Sequence, residues 1–346
     1  MFNTFEGSDA NSVWREVTDT LINGDSANQM TRLGESKELI HASFQISDPR
    51  QRWITSRTPA ISPAFAIAEV FWILNGDNNA EFINFWNPSL PKFAGNGNIY
   101  HGAYGYRIKK QFGLDQLEAT YQALTNNPET RQVVIQLWDP RTDFPKSKGE
   151  PAAADIPCNI CSMPKIRNNK LEWLQVMRSN DVFLGMPYNI IQFTTLQEIL
   201  AGWLNLELGT YYQISDSLHA YSHDLEQYSL DHDRESVKNT DNLALSKHYS
   251  DEVISSVYSR LHLLASNKLT AAELSSLISI DRSGMPTGYK NLFLICCAYA
   301  ARKRGWKREM REAIELCRNQ TLVNIWNLWL TKHGGGGNAI LERRKT

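Results

Sequence analysis

The chain has 346 residues, of which 42% are hydrophobic and 21% charged, as in a soluble globular protein of one or two domains. Its formal net charge of −1 argues against a protein built mainly to bind polyanions. No apolar run approaches the roughly 20 residues of a membrane-spanning helix, and the first residues lack the pattern of a secretion signal. The five irregularly spaced cysteines predict reduced thiols and a cytoplasmic protein.

The middle of the chain alternates helix and strand signals. A helix is predicted over residues 63–74, because Ser62 can cap it and Pro63 suits its first turn. A strongly apolar helix is predicted over residues 188–206, as in a helix buried under a sheet. Three apolar runs predict strands, at residues 132–138, 171–178 and 209–214. We therefore expect an α+β core with one large mixed sheet and a long buried helix.

The last hundred residues have a different pattern. Apolar residues between 253 and 264 follow helical spacing, and further helices are predicted over residues 289–304 and 307–332. These predict an all-helical C-terminal extension at residues 245–333, after a first domain at residues 1–235. The glycine-rich residues 334–346 predict a flexible tail. A basic cluster at the start of the last helix is more simply interpreted as a solvated helix junction than as a nucleic-acid surface.

One cysteine has the surroundings of a nucleophile. Cys158 follows Pro157 in a loop between two predicted strands, and Arg178 ends the second of these strands. A cysteine attacks carbon as its thiolate, and a nearby arginine favours that form. The alternative is a small buried apolar residue, as most free cysteines are. Cys158 and Cys161 form a C-x-x-C pair, but no second pair completes a zinc site.

The neighbouring sequence resembles the thymidylate synthase family, which includes the pyrimidine nucleotide hydroxymethylases. The resemblance covers about residues 25–225. It is carried by Glu69 in an apolar helix before Gly76-Asp77, by Pro157-Cys158, by the run Arg178-Ser179-x-Asp181-Val182-Phe183-Leu184-Gly185-x-Pro187-x-Asn189, and by His219-x-Tyr221. The central run is long and specific. It implies a thymidylate synthase-like fold for the first domain, while the helical extension has no counterpart in the family pattern.

The resemblance implies a methyltransferase or hydroxymethyltransferase of nucleotide biosynthesis. The thiolate of Cys158 would add to C6 of a pyrimidine nucleoside monophosphate, and C5 would take a one-carbon unit from 5,10-methylenetetrahydrofolate. Hydride from the folate would then give a methyl group, whereas water would give a hydroxymethyl group. Methylation of dUMP to dTMP is the leading interpretation. The alternatives are 5-hydroxymethylation of a uridine or cytidine nucleotide, and a nucleotide-binding homologue that has lost turnover.

The resemblance also implies a set of phosphate ligands. Arg178 and Ser179 would bind the substrate phosphate, with Arg32 as a second arginine from the N-terminal region. Arg131 matches an arginine that reaches across a dimer interface to the same phosphate, so a homodimer is expected. Guanidinium groups suit this role because they offer paired donors to phosphate oxygens. For each arginine, the alternative is a solvated surface charge.

Other residues would recognise the base and sugar. Asn189 would bind the polar edge of the ring, which favours uracil, although a flipped amide would suit cytosine. Its alternative role is that of a helix cap. Glu69 would act as a general acid–base group, and Tyr104 matches a tyrosine near the base. The sugar hydroxyl would be held by His219 and Tyr221.

The resemblance also implies a folate site, and the sequence departs from the family pattern at several positions. Asp181 and Gly185 match folate-contacting positions, and Trp86 matches a folate-stacking tryptophan or is simply a core residue. Asn159 follows the nucleophile where a histidine is usual, and Gln132 replaces a second arginine. The helical extension takes the place of the short segment that closes over folate. Without that closure, capture of water becomes plausible and would give the hydroxymethyl product.

Overall fold

The computed structural model of the protein describes residues 3–24, 26–31, 34–234, 237–279 and 284–333. Arg32 and the predicted tail at residues 334–346 lie outside the described residues. The strands are β1 (Asn3–Gly7), β2 (Ala27–Thr31), β3 (Gly34–Ile46), β4 (Arg57–Thr58), β5 (Ile135–Gln136), β6 (Asn159–Arg167), β7 (Lys170–Met177), β8 (Asn180–Asp181), β9 (Glu207–Tyr221) and β10 (Ser229–Leu230).

Helices alternate with these strands and then occupy the C-terminal region. They are α1 (Ala10–Asn23), α2 (Pro63–Leu74), α3 (Ala80–Trp86), α4 (Pro91–Ala94), α5 (Tyr104–Tyr106), α6 (Gln116–Asn126), α7 (Pro140–Asp143), α8 (Met186–Trp203), α9 (Ser222–Gln227), α10 (Lys247–Ala265), α11 (Ala271–Ile278), α12 (Thr287–Lys303), α13 (Lys307–Leu316) and α14 (Gln320–His333). A π-helical turn at Arg107–Gln111 continues α5.

The main sheet is mixed, as predicted. Its strand order is β1-β3-β9-β7-β6-β5, with β2 beside β3 and β8 beside β9. The pairs β1–β3 and β7–β9 are parallel, whereas β3–β9, β6–β7 and β5–β6 are antiparallel. A small second sheet joins β4 to β10. The α+β fold class expected from the sequence is therefore confirmed.

The two helices predicted around the sheet are both present. In α2, the Ser62 hydroxyl accepts a hydrogen bond from Phe65 N at 3.3 Å, so the predicted cap is confirmed. In α8, every residue except Tyr188 and Gly202 is buried, because the helix packs against β7 and β9 on one side and α2 on the other. This packing places the polar residues of α2 and α8 opposite each other.

The strand predicted at residues 132–138 is shorter than expected, with only Ile135–Gln136 in β5. Strand β6 pairs only with Ile135 and Gln136, and on the other edge of β5 the side chain of Gln116 takes the place of a neighbouring strand. Its Oε1 accepts from Gln136 N at 2.7 Å, and its Nε2 donates to Gln136 O at 2.9 Å. Val134, just before β5, is 48% exposed. The strand predicted at residues 209–214, in contrast, is part of the longer β9.

The single helix predicted over residues 307–332 is wrong, since α13 and α14 are separated at residues 317–319. The side chain of Asn319 explains the break. Its Oδ1 accepts from Thr321 N at 3.0 Å, and its Nδ2 donates to Asn239 and Asp241, each at 2.6 Å. The break therefore depends on residues about eighty positions earlier in the chain, which local sequence patterns do not reveal.

The C-terminal helices pack directly on the sheet-bearing part of the chain. The Tyr289 ring of α12 contacts Phe71 of α2 edge-on, with centroids 6.3 Å apart. Cys296 Sγ lies 3.9 Å from Ala64 O. One continuous hydrophobic core includes both parts. The extension thus supports α2, the helix that carries Glu69.

The basic cluster of the extension is mostly engaged within the protein. Lys303 donates to Phe85 O at 2.7 Å, and Arg304 donates to Leu264 O and Ser266 O at 3.0 and 2.7 Å. These contacts anchor the junction between α12 and α13 to neighbouring helices. Among the described residues, no helix has both the length and the apolar character needed to cross a membrane.

Candidate active site

The ends of β6 and β7 bring Cys158 and Arg178 together. Cys158 immediately precedes β6, Arg178 immediately follows β7, and Arg178 N donates to Cys158 O at 2.9 Å. The guanidinium turns back onto the loop before the nucleophile, where Nε donates to Pro157 O at 3.0 Å and Nη2 to Ile156 O at 3.1 Å. No described carboxylate forms an ion pair with Arg178, so its charge is available to an anionic ligand.

Burial decides the protonation of the nucleophile. The side chain of Cys158 is half-buried, and desolvation raises the pKa of its thiol above the ordinary value. Arg178 lowers this pKa, as its charge requires, but does not reverse the shift, and Asp155 and Asp181 raise it further. Arg178 thus favours the thiolate, as expected from the sequence, while burial and the two carboxylates oppose it.

A chain of hydrogen bonds joins α2 to α8. Asn189 Nδ2 donates to Gln192 Oε1 at 3.1 Å, and Gln192 Nε2 donates to Glu69 Oε2 at 2.5 Å. Asn189 lies inside α8, whose N-cap is Gly185, so its alternative role as a helix cap is wrong. Gln192 was missed from the sequence. The only signal was a polar residue three positions after Asn189, close to one turn further along the same helix.

Glu69 is poised to exchange a proton near neutral pH. Desolvation raises the pKa of its carboxyl to about 7, the hydrogen bond from Gln192 lowers it, and the charge of Asp155 raises it. Groups that work as general acid or base are effective when their pKa lies near the working pH. The structure thus gives Glu69 the property that its expected role requires.

Asp155 is a second carboxylate that was missed from the sequence. It lies three residues before Cys158, and its Oδ2 accepts from Gly102 N at 2.8 Å. A Cβ on Gly102 would lie 2.8 Å from Asp155 Oδ1, so only glycine allows this close approach. Among the described residues, Asp155 forms no ion pair. Its charge raises the pKa values of Cys158, Glu69 and Tyr104, so these groups share one electrostatic environment.

Tyr104 and Asn159 border the nucleophile. Tyr104 is half-buried, and its ring lies 6.0 Å from that of Phe193 between centroids. Burial, followed by the charge of Cys158, raises the pKa of Tyr104 well above its ordinary value. Asn159 is fully buried, and its Oδ1 accepts from Gln175 Nε2 at 2.8 Å. Its Nδ2 has no hydrogen-bond partner among the described residues.

The expected sugar and folate residues lie side by side on β8 and β9. Asp181 and His219 are register partners, and the His219 and Tyr221 rings are 5.1 Å apart between centroids. His219 Nδ1 is buried without a partner in the described part of the chain. Asp181 Oδ1 accepts from Phe183 N and Leu184 N, which shapes the turn into α8. Gly185 closes that turn by donating from its N to Asp181 O at 3.1 Å.

The structure does not bring every expected residue to the site. Trp86 is 1% exposed and packs against Tyr299 of the extension, with ring centroids 5.5 Å apart. Its folate-stacking role is therefore wrong, and core packing is correct. Arg131 is exposed before β5 and has no ion pair among the described residues. Ser179 is half-buried beside Arg178. Within the described ranges, no cluster of ligand residues is suited to a metal ion.

Comparison with known proteins gives a family and two kinds of relative. The family model described as thymidylate synthase matches residues 15–265, which extends the resemblance into α10. Deoxyuridylate hydroxymethyltransferase of Bacillus phage SP01 is 33% identical over 233 residues, covering 64% of this chain and 59% of that protein. The enzyme of the same name from Delftia phage PhiW-14 is 30% identical over 197 residues, covering 55% and 54%.

The second kind of relative is thymidylate synthase itself. That of Francisella philomiragia is 27% identical over 192 residues, covering 52% of this chain and 69% of the relative. The chain spans 59% of the SP01 protein's length and 54% of the PhiW-14 protein's, which is less than two thirds of either. Most of the described part that falls outside the family match lies in the helices after α10.

The elevated pKa of Glu69 predicts a specific dependence of stability on pH. The carboxyl of Glu69 has a pKa of about 7 in the folded protein, against an ordinary value of 4.5 in the unfolded chain. As pH rises from 4.5 to 7, the unfolded chain therefore loses this proton first, and wild type loses stability relative to Glu69→Gln. The slope should approach about 1.4 kcal/mol per pH unit. Urea unfolding from pH 4.5 to 8 measures it. The stability of the control variant Glu81→Gln, at an exposed position, should change with pH in parallel with that of wild type. If the stability of Glu69→Gln also changed in parallel with that of wild type, the raised pKa of Glu69 would be contradicted.

Proposed function

The chain belongs to the thymidylate synthase family, and we propose that it transfers a one-carbon unit to C5 of dUMP through a covalent bond from Cys158 to C6. The observation that carries this proposal is the convergence of four functional groups on one site. Arg178 is held beside Cys158 by two backbone carbonyls, and Glu69 is joined to Asn189 through Gln192. A nucleophile, a cation, a proton-transfer group and a base-reading amide are thus all present.

Cys158 would form the first bond. Its thiol loses a proton, Sγ bonds to C6, and the C5–C6 double bond opens so that its electron pair moves onto C5 and O4. Arg178 favours the thiolate that this step needs. Glu69, with its pKa of about 7, would pass protons at O4 and C5. The step requires a reduced Cys158, which fits the cytoplasmic location expected from the cysteines.

The remaining site residues would surround the nucleotide and a folate. The phosphate would bind Arg178 and Ser179, with Arg32 contributing from outside the described residues. His219 and Tyr221 would hold the sugar, and Tyr104 and Asn159 would line the base. 5,10-Methylenetetrahydrofolate supplies the one-carbon unit when bound.

The residues at the expected folate position fit such a ligand. Asp181 uses one carboxylate oxygen for the turn, whereas its Oδ2 accepts no hydrogen bond from a described residue and can take an N–H of the ligand. Gly185 lets the backbone come close to this carboxylate, since a Cβ there would lie only 3.2 Å from Asp181 O. Trp86 is excluded from this role by its burial.

The hydroxymethyl product is favoured over the methyl product. Asp155 is an unpaired, half-buried carboxylate near Cys158, and burial raises its pKa, so it is suited to take a proton from water. Such a water would attack the methylene group on C5 and give CH2OH. The phage relatives at 33% and 30% identity are also named as hydroxymethyltransferases. We therefore propose hydroxymethylation first, and keep methylation, the leading interpretation of the sequence, as a second candidate supported by the thymidylate synthase relatives.

A homodimer is also part of the proposal. Strands β6, β7 and β9 bury one set of alternate residues on the side of the sheet where α8 packs on β7 and β9, and their other face is partly exposed. That outer face carries two apolar rows across the strands, Met163-Leu174-Tyr212 and Cys161-Val176-Ile214. A second copy could cover these rows, and the exposed Arg131 could then reach the phosphate in the partner's site.

Product analysis tests the reaction. We expect dUMP with methylenetetrahydrofolate to gain CH2OH by mass, in preference to UMP, dCMP or CMP. Cys158→Ser should slow this by at least about a thousand-fold, because the covalent route is lost. Cys161→Ser is the matched control and should remain active. A methyl product would support the second candidate, and nucleotide binding without any product would contradict the proposed transfer.

Asp155→Asn tests the choice of product. The variant keeps an oxygen for Gly102 N but cannot accept a proton, so we expect formation of CH2OH to slow about a hundred-fold. Release of tritium from C5 of dUMP, which precedes the attack of water, should persist. Asp216→Asn, at an exposed position, should behave as wild type. Equal slowing of tritium release and product formation would contradict the role of Asp155.

Complementation tests the dimer. Arg131→Ala and Cys158→Ser should each be nearly inactive, whereas their co-expression should restore about a quarter of wild-type activity, because mixed dimers carry one complete site. Co-expression of Arg178→Ala with Cys158→Ser should restore none, since both residues belong to the same site. Failure of the first pair to complement would contradict the shared site.

A further inference from the structure

The hydrogen-bond chain between α2 and α8 consists of three side chains with fixed directions. Gln192 is 2% exposed, and both ends of its amide are used. Its Nε2 donates to Glu69 Oε2, and its Oε1 accepts from Asn189 Nδ2. Asn189 is 6% exposed and is the expected reader of the base. The orientation of the Asn189 amide, which is expected to recognise the base, is thus coupled to the Glu69 carboxylate on another helix.

We propose that Gln192 is a positioning residue that fixes the orientation of the Asn189 amide and so makes the site select uracil over cytosine nucleotides. This inference rests on the proposed function and deepens it, because it assigns the residue that sets the preference for uracil. The sequence alone left both orientations of Asn189 open, since either end of an amide can face a pyrimidine.

The donor and acceptor directions of these hydrogen bonds follow from the carboxylate of Glu69. An ionised carboxylate only accepts hydrogen bonds, so Gln192 must turn its NH2 group towards Glu69. The Gln192 oxygen then faces Asn189, so Asn189 must donate a hydrogen bond from its own NH2 group. Turning Asn189 around would place two amide oxygens against each other in a buried position.

The fixed amide presents a definite pattern to the ligand. One N–H of Asn189 Nδ2 is used by Gln192, which leaves Oδ1 and the second N–H side by side on the free edge of the amide. Uracil offers N3–H as a donor and O4 as an acceptor, which match this edge. Cytosine offers an acceptor at N3 and a donor at its amino group, which oppose it. An unmatched buried pair of this kind should weaken binding about ten- to a hundred-fold.

Protonation of Glu69 would allow the amides of Gln192 and Asn189 to turn around, because a carboxylic acid can donate a hydrogen bond as well as accept one. The titratable groups that act on Glu69 or Asn189 from neighbouring elements are Asp155, before β6, Tyr104 in α5 and Tyr188 in α8. Burial raises the pKa values of both tyrosines, so they stay neutral below pH 9. Asp155 raises the pKa of Glu69 when charged.

The test compares the Kd values of dUMP and dCMP by calorimetry on the full chain. Both ligands carry the same sugar and phosphate, so these contributions cancel in the ratio. We expect Gln192→Leu to reduce the preference for dUMP about ten-fold or more. Gln197→Leu is the matched control, because Gln197 is equally buried in α8 but donates to backbone carbonyls of Leu171 and Gly209. It should keep the preference.

Wild type provides a second readout that needs no variant. Its preference for dUMP should decrease as pH falls from about 8.5 to about 6, as Glu69 takes up a proton. An unchanged ratio in Gln192→Leu, or a pH-independent ratio in wild type, would overturn the proposal. Binding needs no turnover, so a protein that binds dUMP selectively without forming product would contradict the proposed function while supporting this inference. Binding of neither nucleotide would contradict both.

Discussion

The pairing of β6 with β7 determines the arrangement of the site. These strands run antiparallel, and Asn159 pairs with Met177, so the residues just beyond them, Cys158 and Arg178, meet at one edge of the sheet. The hydrogen bond from Arg178 N to Cys158 O closes this edge. The guanidinium then holds the loop before the nucleophile, at Pro157 O and Ile156 O. A shift of register would separate the nucleophile from its cation.

Burial supplies the second constraint. Desolvation raises the pKa values of Cys158, Glu69 and Asp155 together, so each is closer to its neutral form than in water. In such surroundings hydrogen bonds are strong and unpaired polar groups are costly. The same burial that opposes a free thiolate therefore fixes the amides of Gln192 and Asn189. The helical extension contributes by packing α12 against α2, which carries Glu69.

Local sequence patterns predicted the parts of this protein that depend on local physics. The bounds of α2 followed from its cap and its apolar run, and α8 followed from its helical pattern and its many apolar positions. The break at residues 317–319 depends on distant partners of Asn319, and the burial of Trp86 depends on Tyr299, so neither was visible locally. Asp155 and Gln192 were missed for the same reason, since their importance arises from contacts between separate elements.

The covalent bond to Cys158 is the central claim, and intact-protein mass spectrometry with 5-fluoro-dUMP and methylenetetrahydrofolate tests it most directly. Fluorine replaces the proton that must leave C5, so the reaction should stop with Sγ still bonded to C6. The account predicts a protein whose mass has increased by one nucleotide and one folate, with the modified peptide containing Cys158. No adduct, or an adduct located on Cys161 instead, would contradict the account.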